Sequence, residues 1–298
     1  MLNRIYLKFI LRSRLNVWFG KKIFKNSGGV ISNLIGMHVR KRDIKKSKLN
    51  NFNYKKNADS ETLRNEGFLL SRNIDNKDHI LALSNKWNDY TNKVEFPTDG
   101  RLQLSSADDY EDSKHFISYL EPLITDDIKN ILESYFKSYM RIINFHIYRI
   151  KKPPGVSELD SYGSTANWHT DGSTCESMKL FFMLSDITEA NGPMQIISKK
   201  DSQKVFENNK FFFPDTDGKT RKFILDNCSE ISLEGEAGSA FYALTNDSLH
   251  RATTPHEGKV RDLVTFYITS SSIERTILEQ LKDATYREVY GFQRLTMT

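Results

Sequence analysis

His169 and Asp171 are the residues whose types and spacing first suggest chemistry in this chain of 298 residues. They stand two apart in Trp168-His169-Thr170-Asp171-Gly172. On an extended segment, side chains at i and i+2 point to the same side. A third ligand from a distant strand can then complete one triangular face around a metal ion. Alone, a His-x-Asp pair is a weak signal, because a surface histidine beside a turn aspartate reads the same way. The stretch 235–269 strengthens it: GEAGSAFYALTNDSLHRATTPHEGKVRDLVTFYIT. There a strand ends near His250, a turn runs through Pro255 and Gly258, and another strand opens with Arg261. His250 and Arg261 are eleven residues apart, so the turn can set them on adjacent strands. As an isolated residue, Arg261 would read as a surface ion-pair partner. His256 is the rival to His250, but it sits in the turn beside Pro255.

The elements that must position these residues change character along the chain. From about 57 to 140 the pattern is helical, with Ile128, Ile131, Leu132, Tyr135, Phe136 and Tyr139 at helical spacing behind Thr125, Asp126 and Asp127 as cap candidates. Residues 60–94 read as one or two further helices. At 141 the period changes: 142–150 (IINFHIYRI) is rich in β-branched and aromatic side chains. Further short strands are expected at 167–171, 178–185, 193–198, 230–233, 239–243, 248–252 and 261–269. The turn signals Asn191-Gly192-Pro193, Asp217-Gly218, Gly235 to Gly238 and Glu257-Gly258 separate them. Such punctuation predicts a sandwich or barrel of the jelly-roll kind. A last helix over 270–290 is expected behind a capping box, Ser271-x-x-Glu274.

Two histidines and one carboxylate form a facial set that suits Fe(II) and leaves three positions open. An arginine nearby can grip a carboxylate in bidentate fashion, which a lysine does less selectively. With these residues in order, 167–269 resembles the phytanoyl-CoA dioxygenase-like family of Fe(II)/2-oxoglutarate-dependent oxygenases. The matching pieces are His169-Thr170-Asp171, the run from Lys179 to Ile187, Asn191-Gly192-Pro193-Met194, His250-Arg251 and Arg261.

The resemblance implies a mainly β fold with flanking helices around a double-stranded β-helix (jelly-roll or cupin-like) core. It implies Fe(II) held by His169, Asp171 and His250, with 2-oxoglutarate and O2 as cosubstrates and Arg261 as the cosubstrate anchor. Phe181 stands where a large aromatic often lines the cosubstrate, and Tyr148 is a further candidate there. The chain departs from the family at Ala252, where a hydroxyl residue is common. A retained Asp171 favours hydroxylation over halogenation. Tyr267, six residues after Arg261, replaces the second arginine of the nucleic-acid dealkylases, so no nucleic acid is expected. The implied activity is hydroxylation of a small-molecule, lipid or sugar-containing substrate with release of succinate and CO2. Lys179 either reaches into the barrel toward an acidic group or sits at an exposed strand end, while Cys175 reads as a bystander and His146 as a core or substrate-side residue. The insert 201–230, with Phe211, Phe212 and Phe213, and the loop 151–166 are candidates to cover the mouth.

Hydrophobic residues make up 38% of the chain, enough for a sizeable core and against disorder throughout. The two cysteines, Cys175 and Cys228, form neither a zinc pattern nor a disulfide framework, which favours a reducing, cytoplasmic setting. The net charge of +5 conceals an asymmetry: residues 1–56 hold fifteen Lys or Arg against Asp43 alone, +14, which leaves −9 for the remainder. Residues 1–56 thus read as a basic arm and linker, and 57–298 as a single oxygenase domain. Within the arm, 3–25 reads as a basic amphipathic helix. It would lie on an anionic membrane surface, serve as a targeting presequence, or pack on the body. Residues 40–56, without apolar periodicity, read as a mobile linker. Two other functional classes compete with the oxygenase: a metal-binding cupin-type enzyme that does not use 2-oxoglutarate, and a non-catalytic module docked on a membrane or acidic partner.

Overall fold

The computed structural model describes residues 30–71, 76–106, 108–153, 155, 166–171, 177–209 and 219–284. Their order begins with α1 (Val30–Leu49), α2 (Ala58–Glu66), β1 (Phe68–Ser71), α3 (Lys77–Thr91) and β2 (Arg101–Ser105). Short helical turns over 110–123 lead to α4 (Asp126–Phe136) and the long strand β3 (Tyr139–Lys151). Then come β4 (Ser177–Met183), β5 (Met194–Ile196), α5 (Lys199–Asn209), α6 (Lys219–Asn227), β6 (Ile231–Leu233), β7 (Ala240–Ala243), β8 (His250–Ala252), β9 (Val260–Ser271) and α7 (Ile277–Asp283).

Local chemistry accounts for the helix ends. Thr125 caps α4, its hydroxyl accepting from Ile128 N at 3.4 Å, as its place before an acidic first turn predicts. Asn57 does the same for α2, accepting from Asp59 N at 2.8 Å. The apolar face of α4, with Ile128, Ile131, Leu132, Tyr135 and Phe136, is buried.

The strands form two antiparallel sheets, a large one ordered β1-β7-β4-β9-β3-β2 and a small one ordered β6-β5-β8. His169 bridges to His250 at the edge of the small sheet. From β3 onward the chain goes from the large sheet to the small one at 169 and back at β4. It then runs through β5 and β6 in the small sheet, β7 in the large, β8 in the small and β9 in the large. That alternation is a double-stranded β-helix, as expected. The large sheet is buried on both faces. On one side Leu180, Phe182, Tyr242, Val264, Phe266 and Ile268 pack on the helices; on the other, Tyr148, Phe181, Met183, Phe241 and Leu263 face the small sheet. At the Asn191-Gly192-Pro193 turn, Gly192 adopts φ +69°, and a Cβ there would lie 2.5 Å from Pro255 N, so only glycine lets the two turns cross.

Three expectations are corrected. The stretch 40–56 is not a linker throughout, since α1 continues to Leu49 against β9. Its contacts are polar rather than apolar, which is why no hydrophobic period marks it: Asp43 is buried and accepts from Ser270 Oγ at 2.8 Å, and Arg40 donates to the carbonyls of Tyr135 and Phe136 at the end of α4. The last helix starts at Ile277, where Thr276 and Glu279 form the capping box, because pairing of β9 with β3 runs on to Ser271. Short strands β1 and β2 interrupt the stretch read as helical. Residues 3–25, the tail of the helix expected over 270–290, Cys175 and Phe211–Phe213 lie outside the described residues. Among the described residues, no helix is long and apolar enough to cross a membrane.

A buried ion pair clamps α3 to the sheet. Arg149 Nε and Nη2 each donate to Asp262 at 2.8 Å, Trp87 Nε1 donates to the same carboxylate at 3.2 Å, and Arg149 Nη1 reaches Thr91 Oγ1 at 2.7 Å. Asp262→Ala strands the guanidinium in the interior and is expected to cost roughly 3–5 kcal/mol in denaturant unfolding. A loss below ~1 kcal/mol would show that the clamp is not needed.

Candidate metal centre

His169 and His250 belong to distant parts of the chain but form one antiparallel bridge, exchanging two backbone hydrogen bonds of 3.0 Å. Their rings are tilted by 50° to one another, with centroids 4.3 Å apart. Asp171 is held one step further along the same edge by its N–H, which donates to Thr245 O at 2.9 Å. One ligand atom from each of His169, Asp171 and His250 lies within 4.8 Å of the others. In both histidines Nδ1 meets a backbone carbonyl, Asn167 O at 2.8 Å for His169 and Ser248 O at 3.1 Å for His250. A carbonyl only accepts, so Nδ1 carries the hydrogen and Nε2 keeps its lone pair for a metal.

The protonation states agree with that use. Burial pushes both imidazoles below their ordinary range; for His250 the Asp171 carboxylate opposes burial, the Lys179 charge adds to it, and the value falls to about 3. Burial alone would raise the Asp171 carboxyl, but the Lys179 ammonium outweighs it and holds the group well below the usual carboxylate range. Lys179 Nζ lies 2.6 Å from Asp171 Oδ2. Of the two readings of Lys179, the inward one is therefore observed. Burial works against its charge, but the ionised Asp171 beside it keeps the ammonium protonated. Two neutral imidazoles beside an ionised carboxylate are what a divalent cation requires.

The strands that carry the ligands are supported from behind. Trp168 and Leu249, each adjacent to a ligand histidine, form a core with Ile197, Val205 and Ile224. Ser202 Oγ accepts from Leu249 N at 2.8 Å, and Lys199 pairs with Asp247 at 2.7 Å. The described parts of the 201–230 insert are thus helices that back the ligand strands, not a cover over the mouth.

Arg261 is buried, and its Nη1 donates to Thr253 O at 3.0 Å, so the side chain crosses from the large sheet toward the small one. Strand register sets four rows on the inner face. Ile150 opposes Arg261, and Tyr148 opposes Leu263, which opposes Met183. His146 opposes Thr265, which opposes Phe181; Asn144 opposes Tyr267, which opposes Lys179. Tyr148 and Phe181 therefore share the inner face with Arg261. Thr265 Oγ1 donates to Tyr148 Oη at 3.3 Å, and Phe181 stacks on Phe241 with centroids 4.3 Å apart. His256 is exposed in its turn and stands apart from this face. The rows also grade in exposure. Arg261 and Leu263 are 2% and 3% exposed, whereas the Lys179 and Asp171 side chains keep 16% and 26%. By exposure, the arginine end of the inner face is the closed end and the Lys179–Asp171 end the open one. Thr265 escaped sequence reading, and Tyr267 entered it only as the place of a missing arginine, although counting by two from Arg261 sets both on the inner face. Arg101 and Gln103 of β2 gave no signal, because β2 lies in a stretch that reads as helical.

No family model and no curated protein matches the sequence. Among solved structures the double-stranded β-helix fold is shared with enzymes described as non-heme and alpha ketoglutarate dependent. The chain is similar to SnoK, a non-heme alpha ketoglutarate dependent carbocyclase from nogalamycin biosynthesis (TM-score 0.54, 10% identity, 72% of this chain and 84% of that one). It is similar to the epimerase SnoN from the same biosynthesis (TM-score 0.52, 11% identity, 71% and 82%). It is also similar to EctD from S. alaskensis, solved with 2-oxoglutarate and 5-hydroxyectoine (TM-score 0.52, 10% identity, 75% and 82%). At such identities the likeness is one of fold.

Calorimetric titration with Mn(II) is expected to show one site per chain. His250→Ala should weaken it by more than the roughly 10–100-fold that follows loss of a residue merely supporting a ligand. Equal affinity in the variant would place the ion elsewhere.

Proposed function

We propose that the chain is an Fe(II)- and 2-oxoglutarate-dependent oxygenase that hydroxylates a C–H bond of a small molecule, releasing succinate and CO2. One observation carries this reading: His169, Asp171 and His250 bring one ligand atom each within 4.8 Å of one another, and a buried arginine stands on the inner face of the same barrel. The donor set fits the ion, being two neutral nitrogens and one carboxylate with positions left for other ligands. Support for the cosubstrate comes from similar folds: SnoN was solved with Fe3+, alpha ketoglutarate and nogalamycin RO, and EctD with bound Fe. The eleven-residue interval from His250 to Arg261 supports the phytanoyl-CoA dioxygenase-like branch.

When bound, Fe(II) with 2-oxoglutarate and O2 supplies the oxidising power for the C–H bond. The chain supplies the setting. His169, Asp171 and His250 would hold the ion, with each Nδ1–H fastened to a carbonyl so that the rings cannot turn. Lys179 keeps Asp171 ionised and oriented. Arg261, at the closed end, would pair with the distal carboxylate of 2-oxoglutarate as a charge-assisted fork. Tyr148, Phe181, Phe241 and Leu263 would flank the cosubstrate and exclude water. The open end, beside Lys179, would admit the substrate, and retained Asp171 favours transfer of a hydroxyl rather than a halide.

The purified protein with Fe(II), 2-oxoglutarate and O2 should release succinate, and His169→Ala should abolish that release. Arg261→Ala removes a buried charge-assisted pair and is expected to weaken 2-oxoglutarate binding by about 30-fold or more, measured by calorimetry with Mn(II) in place of iron. Unchanged affinity in that variant would refute the role of Arg261 and favour a metal enzyme of another kind.

A further inference from the structure

Among the described residues, the inner wall carries a cation that the reading above does not use, Arg101 of β2. Arg101 opposes Ile150, which opposes Arg261, so the two arginines share a face two strands apart, about 10 Å at strand spacing. The Arg101 guanidinium lies 5.6 Å over the Tyr148 ring, and its Nη2 donates to Gln103 Oε1. Its Nε is buried without a hydrogen-bond partner. Among the described residues no carboxylate pairs with it. Lys179, by contrast, has Asp171, and Arg149 on the other face has Asp262. A guanidinium on a half-buried wall with donors to spare calls for an anion, and the described residues supply none.

Beside Arg101 runs a chain of polar groups that ends at the metal centre. Ser106 Oγ donates to Asn144 Oδ1, which turns Asn144 Nδ2 toward His146 Nε2 at 3.0 Å. His146 Nδ1 is 3.3 Å from Tyr267 Oη. Burial, with Arg101 and Lys179 adding to it and Asp108 opposing, pushes His146 down to about 4, so the ring is neutral. Its Nε2 accepts from Asn144, so its one hydrogen sits on Nδ1 and is donated to Tyr267 Oη. The phenol hydrogen is then left to donate. Lys179 Nζ stands 5.1 Å over the Tyr267 ring and pairs with Asp171, so this hydroxyl is one side chain removed from the metal ligands.

We propose that the face formed by Arg101, Gln103, His146 and Tyr267 is the substrate subsite and that the substrate is a small carboxylate. Arg101 grips its carboxyl group, and Tyr267 donates to another oxygen of it. The proposal rests on the oxygenase reading for its place beside the iron. It is tested on the Mn(II)-loaded protein without O2, saturated with 2-oxoglutarate, by titration with propionate, hexanoate, octanoate and benzoate; inorganic phosphate is the control. At least one carboxylate should bind. Arg101→Gln should weaken it about tenfold or more, Tyr267→Phe should weaken it less, and both variants should keep wild-type affinity for 2-oxoglutarate. Carboxylates that bind Arg101→Gln as well as wild type, binding of phosphate alone, or no binding by any probe overturns the proposal. So does loss of 2-oxoglutarate affinity in Arg101→Gln, which would make Arg101 part of the cosubstrate site. Repeating the carboxylate series without 2-oxoglutarate judges the subsite even if the cosubstrate does not bind, and separates the two failures.

Discussion

The backbone bridge between His169 and His250 is the constraint on which the site depends. It joins two residues eighty-one positions apart in sequence and leaves their rings 4.3 Å apart. Loop closure over that distance is costly in chain entropy, and a lone bridge cannot offset it. The cost is met by the rest of the barrel. The small sheet holds β8 against β5, and the Trp168–Leu249 cluster packs on α5 and α6 behind it. The carbonyls of Asn167 and Ser248 then fix each ring from within its own strand. A metal site so built needs little side-chain reorganisation to accept an ion.

Charge is arranged around that bridge with the same economy. Asp171 and Lys179 form a close pair at the open end, and Arg261 sits at the closed end. Arg149 and Asp262 neutralise one another on the helical face, beyond the sheet. Neighbouring residues on β9, Arg261 and Asp262, thus serve opposite sides of one sheet, the first reaching toward the small sheet and the second docking α3. This is the ordinary two-residue period of a strand put to two uses.

Much of this was legible in the residues themselves. His-x-Asp, the distal His250, the turn through Pro255 and Gly258, and Arg261 identify ligand types whose order along the chain matches their places in the barrel. Thr125 announced the start of α4. Other features were hidden for identifiable reasons. Residues 40–49 form a helix held by Asp43 and Arg40 through polar contacts, and such contacts leave no hydrophobic period. Ser271-x-x-Glu274 has the letters of a capping box, but β9 holds Ser271 in a ladder, and Thr276 takes the role with Glu279. Strands β1 and β2 are too short, at four and five residues, to stand out among helices.

By itself the sequence determined the donor chemistry: which residues can bind a cation, which can bind a carboxylate, and that a two-residue period places them on strands. Those properties reside in side-chain types and local spacing. Only the tertiary structure decided what each donor meets. It sent Lys179 inward to Asp171 and placed Arg101 on the same wall as Arg261. It also moved the insert helices behind the ligand strands. Such choices depend on strand register and sheet order, which arise from pairing between segments far apart in the chain and leave no mark on either segment alone.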